Sequence, residues 1–166
     1  MKLDIGCGNN KRPGFMGMDK YLTPQSDIVW DWEVFPWPFD DNSTSEINAT
    51  HVLEHTKDLI KFMDECYRIL KKKGTMFIVC PYYTSIGDWQ DQTHTRAFSE
   101  KTLDYFNKNW RIEHGLNHYH IKSDFDFTYI HIIEDDYSKQ PVEAINFAIR
   151  HFFNVCREIH ATLIKK

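Results

Sequence analysis

The chain of 166 residues has no long hydrophobic run, no close pair of cysteines and no excess of basic side chains. No apolar stretch approaches the roughly 18 residues that a membrane-spanning helix requires. Met1 is followed at once by a strand-like segment, without the basic and apolar regions of a secretion signal. The four cysteines are widely spaced and form no CxxC pair, which is typical of reduced thiols. These absences predict a cytoplasmic protein without a membrane partner.

The charge balance is slightly acidic, with 20 basic and 24 acidic side chains and a formal net charge of −4. A protein that holds nucleic acid through bulk electrostatics carries the opposite balance, so nucleic acid is disfavoured as a partner. Hydrophobic residues make up 42% of the chain and charged residues 27%, which is typical of a globular protein. The length and the absence of repeats or linkers predict one domain over residues 1–166.

Short apolar runs bounded by turn residues predict buried strands at residues 2–5, 15–18, 27–30, 46–50 and 75–80. Between the last two runs, apolar residues from Leu59 to Leu70 recur at helical spacing, and the sequence KKKG follows them. This alternation favours an α/β fold, with a Rossmann-like, doubly wound, mainly parallel sheet. Two further strand-like runs within residues 111–133 predict an antiparallel edge.

The end of the chain contains the longest helix candidate, from Pro141 to Lys166. Its apolar residues alternate spacings of three and four over three heptads, which is the pattern of a coiled-coil seam. We therefore predict a long C-terminal helix, which either docks on its own domain or forms a homodimer. Residues 108–166 would then contain the edge strands and this helix.

The stretch LDIGCGNNKRPGFMGMDKY places a glycine-rich turn between the first two strands. Gly6 and Gly8 allow the backbone to turn sharply and approach a ligand closely. Only nine residues, Gly6 to Gly14, separate the two apolar runs, whereas a crossover helix needs roughly ten to twelve. The first crossover helix is therefore expected to be shortened. Asn9 and Asn10 stand where a dinucleotide-binding loop has a third glycine, so a pyrophosphate ligand is disfavoured.

Acidic residues follow the second and third strands, at the edge where open α/β sheets bind ligands. Asp19 ends the sequence MGMD, where a carboxylate accepts hydrogen bonds from a ribose diol. Asp31 follows DIVW, where a carboxylate could accept a hydrogen bond from an adenine amino group. The pattern predicts a nucleoside-type ligand.

The order of these segments, with WPFDDNSTSEINATHVLEH, CYRILKKKG and MFIVCP after them, resembles the class I S-adenosylmethionine (SAM)-dependent methyltransferases. The nearest type is the methyltransferase domain 11-like group, and the resemblance, which covers residues 3 to about 107, implies that residues 1–107 form a cofactor-binding core. It implies SAM as cofactor and S-adenosylhomocysteine as product. Because SAM has no phosphate, a shortened crossover is compatible with it. The residues that the resemblance assigns to the cofactor are Asp4, Gly6 and Gly8 for methionine, Asp19 for ribose with Lys20 beside it, Asp31 and Trp32 for adenine, and His51 after the fourth strand.

Methyl transfer from a sulfonium is an in-line displacement, which needs a general base only if the acceptor must lose a proton. Our candidates for that base are His55, Tyr82 and His94, each of which has a structural or surface role as its alternative. The resemblance favours a small polar molecule as acceptor. Two other functions stay open: a protein that binds the cofactor without methyltransferase activity, as a scaffold or partner, and an enzyme that cleaves SAM.

No metal site is predicted from the sequence. THVLEH at residues 50–55 lacks the HExxH spacing of a zinc helix. HGLNHYH at residues 114–120 would place three histidines on one strand face, but a strand separates the first two by roughly 13 Å, which is too far for one ion.

Overall fold

The computed structural model describes residues 1–166, which form one seven-stranded sheet in the order β3-β2-β1-β4-β5-β7-β6. The strands are β1 Lys2–Ile5, β2 Met16–Asp19, β3 Ile28–Val29, β4 Thr44–Thr50, β5 Leu70–Pro81, β6 Phe125–Ile133 and β7 Cys156–Lys165. The helices are α1 Leu59–Ile69, α2 Ile86–Gln90, α3 Glu100–Asp104, α4 Lys108–Glu113, α5 Asp135–Ser138 and α6 Val142–His151, with single 3-10 turns at Leu53–His55 and Asn117–Tyr119. None of the helices is both long and apolar enough to cross a membrane.

The sheet is parallel from β3 to β5, and β7 pairs antiparallel with both β5 and β6. This confirms the predicted Rossmann-like α/β fold with a mainly parallel sheet and an antiparallel edge. All five predicted strands are present, but β5 begins at Leu70 instead of residue 75, so that the KKKG sequence belongs to this strand. The connection between β1 and β2 contains no helix, as its length predicts.

The predicted amphipathic helix is α1, which begins where the Asp58 side chain accepts a hydrogen bond from the Lys61 backbone N–H. Its inner face buries Phe62 and Met63 completely against the sheet. Trp37 packs edge-on against Phe62, with ring centroids 5.4 Å apart. Burial of a side chain of this size contributes about 1.5–3 kcal/mol, so the apolar stripe of α1 fixes the helix to the sheet.

The predicted long helix from Pro141 to Lys166 is wrong. Helix α6 ends at His151, and the residues after it form β7, which lies between β5 and β6. Ile159, Ala161 and Leu163 alternate with less buried residues, as in a strand with one face on the core. Two apolar residues four positions apart fit a helix and a strand equally well. The segment forms a strand because it can pair by backbone hydrogen bonds with β5 on one side and with β6 on the other. The proposed seam for a homodimer therefore does not exist as a helix.

The first strand-like run within residues 111–133 is also wrong, because it contains the end of α4 and the turn at Asn117–Tyr119. Arg111 is buried there and donates hydrogen bonds to the carbonyl groups of Tyr105, Ile121 and Ser123. These bonds close the segment into a compact turn instead of an extended strand. The second run forms β6 as predicted, with β7 as its partner.

Candidate active site

The carboxyl ends of β1, β2 and β4 meet at one edge of the sheet, where the glycine turn begins. Gly6 and Gly8 both have positive φ angles, of +63° and +49°. A Cβ atom on Gly6 would lie 2.6 Å from Cγ2 of Val52, so close packing demands glycine there. A Cβ atom on Gly8 would have no neighbour within 4 Å. The open side of the turn therefore lies at Gly8, where a ligand can approach the backbone.

Asp19 holds this turn in place from the end of β2. One of its carboxylate oxygens accepts a hydrogen bond from the Gly8 backbone N–H at 2.8 Å, and the other accepts one from the Tyr21 N–H at 3.0 Å. A carboxylate has about four acceptor positions, so capacity for a ribose diol is left over. Asp31 is exposed, and only its Oδ1 is engaged, by the Glu33 N–H.

Asp4 lies under the turn and is almost fully buried. Its two oxygens accept hydrogen bonds from the Arg12 backbone N–H and from the Asn48 side-chain amide, each at 2.6 Å. Asp4 therefore ties the shortened crossover to β4. Together with Gly6, it lines a cavity of about 410 Å³. Contact of Asp4 with the methionine moiety stays a prediction.

Trp32 is buried next to the glycine turn, 3.8 Å from the position of a Cβ on Gly6. The Lys20 ammonium lies 5.2 Å from the centre of a Trp32 ring and 5.1 Å from that of Tyr21. An adenine ring stacked on that side of Trp32 would have to displace the lysine. Lys20 therefore covers one side of Trp32 in this structure.

His51 follows β4 in a left-handed conformation, with a φ of +54°. Its Nδ1 lies 3.1 Å from Oε1 of Glu54, and its Nε2 lies 3.4 Å from Oε1 of Glu158. The hydrogen bond to Glu54 raises the pKa of His51 above its ordinary value, against the opposing effect of burial. His51 is therefore held between two carboxylates at the predicted cofactor edge.

A cavity of about 330 Å³ opens beside His51, and none of its lining residues is hydrophobic. It brings His55 and His94 together, with ring centroids 4.8 Å apart. The other lining residues include Arg157 and Glu158 from β7. Two of the three predicted base candidates therefore share one site.

Tyr82, the third base candidate, is not part of this cavity. It is buried, and its hydroxyl donates a hydrogen bond to Oε2 of Glu100 at 3.2 Å. Burial, and then the nearby Glu100, raises the pKa of Tyr82 well above its ordinary value, which makes the phenolate hard to form. The structure therefore separates Tyr82 from the two histidines.

Sequence reasoning missed several acidic and basic residues of this site. Glu54 is completely buried in the turn that leads to His55. Asp88 in α2 is buried as well, and burial raises its pKa to about 6. Arg157 and Glu158 come from β7, which the sequence predicted to be helical. No local signal marks Asp88, Arg157 or Glu158 as site residues.

The edge of the sheet fits SAM chemically. The open backbone at Gly8 suits the zwitterionic methionine tail, the spare acceptor positions of Asp19 suit a ribose diol, and the free oxygen of Asp31 suits the adenine amino group. None of these contacts requires the amino end of a helix, because SAM has no phosphate. The residue assignments themselves remain predictions.

Comparison with known proteins agrees with this chemistry. Residues 13–78 match the family model Methyltransf_11, described as a methyltransferase domain. Among curated proteins, none matches this chain.

Solved structures similar to this chain include a SAM-dependent methyltransferase from Archaeoglobus fulgidus, with 18% identity and a TM-score of 0.66 over 99% of this chain and 85% of that one. A SAM-dependent methyltransferase from Thermotoga maritima, described as a possible histamine N-methyltransferase, has 15% identity and a TM-score of 0.61 over 99% and 82%. The plantazolicin methyltransferase BpumL, in complex with SAH, has 17% identity and a TM-score of 0.58 over 99% and 75%. At these identities, the structures establish the shared fold.

The chain therefore has the fold of solved SAM-dependent methyltransferases, and its residues 13–78 match a methyltransferase domain model. The matched model is the group that the order of the sequence motifs resembles, the methyltransferase domain 11-like proteins.

Proposed function

We propose that this protein is a SAM-dependent methyltransferase, which transfers the methyl group of SAM to a small polar molecule bound in the cavity beside His51. The observation that carries the proposal is the cavity itself, which has a volume of about 330 Å³ and no hydrophobic lining residue. This volume lies at the lower end of the range for small-molecule sites, about 300–1,000 Å³. A large apolar acceptor would cover these polar and charged groups without forming hydrogen bonds to them, which is unfavourable.

The lining charges have both signs, which favours an acceptor that carries several hydrogen-bonding groups. Arg157 offers a cation on one wall, and Glu158 and Asp91 offer carboxylates. SAM supplies the electrophilic methyl carbon, and the protein holds donor and acceptor in line and excludes water. Asp19 and Asp31 are the proposed anchors for the nucleoside, as the free acceptor positions at the sheet edge suggest.

His55 and His94 are the proposed proton acceptors when the substrate must lose a proton. Nδ1 of His94 lies 2.8 Å from the Asp88 carbonyl oxygen, which only accepts, so Nδ1 carries the proton and Nε2 keeps its lone pair. Tyr82 is not proposed as the base, because its hydroxyl is engaged with Glu100. The four buried free thiols fit the reducing cytoplasm as the proposed compartment.

Turnover assays test the reaction class. The protein is incubated with SAM, alone and with sets of small hydroxylated or amino compounds, and S-adenosylhomocysteine is quantified by mass spectrometry. Product that forms only with an acceptor supports the proposal. Consumption of SAM without any acceptor would indicate a cleaving enzyme, and SAM binding without consumption under all conditions would indicate a binding protein.

Calorimetric titration with S-adenosylhomocysteine tests the anchors. Asp31→Asn removes the charge but keeps an oxygen for the Glu33 N–H, and we expect about tenfold weaker binding, as for one lost hydrogen bond to a charged group. Asp40→Asn is the matched control, because Asp40 is likewise an exposed aspartate in the segment between β3 and β4. Equal affinities for both variants would remove Asp31 from the site.

A further inference from the structure

Three metal-ligating side chains converge at the polar cavity: Glu54, His55 and His94. One ligand atom from each lies within 4.8 Å of the others. Glu54 and His55 belong to the 3-10 turn after β4, whereas His94 belongs to the loop after α2. The cluster therefore depends on the fold and not on a local sequence motif.

Both histidines are fixed with Nδ1 as the donor. Nδ1 of His94 faces the Asp88 carbonyl oxygen, as described above. Nδ1 of His55 lies 3.0 Å from the Thr93 hydroxyl, whose own proton is donated to Asp91 at 2.7 Å. The Thr93 oxygen must therefore accept from His55. Each imidazole is left with a lone pair on Nε2, and outer hydrogen bonds of this kind orient the histidine ligands of metal ions.

Glu54 is completely buried, and its Oε2 has no hydrogen-bond partner. Asp88, which faces the same cluster, is also buried with an unpartnered Oδ1. Charged oxygens without partners are costly inside a protein, and a bound cation is one of the few ways to compensate them. The neighbouring Cys80 thiol is only a weak, uncharged donor, and the His51 imidazole contacts the other carboxylate oxygen of Glu54, Oε1, at 3.1 Å.

We propose that Glu54, His55 and His94 bind a divalent first-row transition metal ion, such as Zn²⁺, at the base of the acceptor cavity. Two imidazoles and one carboxylate form a donor set that zinc and iron(II) prefer. Ligands of a tetrahedral zinc ion lie roughly 3.4 Å apart, so the side chains close by about 1–1.5 Å on binding. The side that faces the cavity stays open for an oxygen or nitrogen of the acceptor.

This site goes beyond the proposed methyl transfer, because metal binding does not depend on the reaction. The link between them is chemical: with an ion bound, His55 and His94 would serve as its ligands and not as proton acceptors, and the ion would lower the pKa of a bound acceptor hydroxyl, which would lose its proton to solvent before it attacks the methyl carbon. The exposed Asp91 carboxylate lies 3.9 Å from Nε2 of His94 and is a further anionic group beside the cluster.

The test is a titration of the metal-free protein with Co²⁺, followed by visible absorption, and with Zn²⁺, followed by calorimetry. We expect one ion per chain, and at least about 100-fold weaker binding in both His55→Ala and His94→Ala. His118→Ala is the control, because His118 is an exposed histidine outside the cavity. Circular dichroism confirms that each variant is folded.

Absence of Co²⁺ binding to folded wild-type protein would overturn the proposal, as would unchanged affinity in both cavity variants. The same samples are titrated with S-adenosylhomocysteine to separate the two proposals. In the wild-type protein, cofactor binding without metal binding would refute only the ion site, whereas metal binding without cofactor binding would refute only the proposed cofactor anchors.

Discussion

Replacement of Gly6 by alanine tests why the glycine turn after β1 requires glycine at this position. Alanine at a φ of +63° costs about 1–2 kcal/mol. Its Cβ would also lie 2.6 Å from Cγ2 of Val52, and overpacking of a buried site costs about 1–3 kcal/mol more. We therefore expect Gly6→Ala to lower the free energy of unfolding by about 2–5 kcal/mol, the sum of these two contributions.

Gly8→Ala is the matched control, because Gly8 has a φ of +49° but open space around the new Cβ. It should cost only the conformational part, about 1–2 kcal/mol. Urea unfolding, followed by the fluorescence of the 5 tryptophans, measures both variants. In a Val52→Ala background, the cost of Gly6→Ala should fall to that of Gly8→Ala. Equal costs for the two glycines in the wild-type background would refute the packing argument.

Two further predictions concern buried polar and titratable groups. Lys165 is buried and donates hydrogen bonds to Asn42 and to two backbone carbonyl groups. Lys165→Met should therefore lower the free energy of unfolding by about 2–4 kcal/mol, as measured by urea unfolding. Lys72→Met is the control and should have almost no effect, because Lys72 is exposed. Burial raises the pKa of the Cys156 thiol to about 12. Above pH 9, the thiol therefore loses its proton in the unfolded chain but keeps it in the folded protein. The free energy of unfolding should then fall by about 1.4 kcal/mol per pH unit because of this group. The alkaline slope of the unfolding free energy should be shallower in Cys156→Ala by this amount, and an unchanged slope between pH 9 and 10.5 would contradict the assignment.

The shortened crossover has a structural explanation in Asp4 and Arg12. In place of a helix, the loop is tied to the sheet by the hydrogen bond from the Arg12 N–H to Asp4. The Arg12 guanidinium also lies over the rings of Phe15 and Phe77, at 5.1 and 5.5 Å from their centres. These contacts hold the glycine turn in place, although only nine residues separate the apolar runs.

The sequence by itself determined the parts of the molecule that depend on local pattern. Five strands and helix α1 follow from apolar periodicity, because one face of each must be buried whatever its neighbours are. The positions of Gly6, Asp19 and Asp31 at strand ends follow from the same pattern, since parallel strands end at a common edge.

Only the tertiary structure determined the secondary structure at the end of the chain and the set of residues that line the polar cavity. The spacing of Ile159 and Leu163 fits a helix or a strand, and backbone pairing with β5 and β6 stabilises the strand. The pairing of His55 with His94 and the arrival of Glu158 from β7 join residues far apart in the sequence. No local pattern encodes such distances, because they are set by how the elements pack against one another.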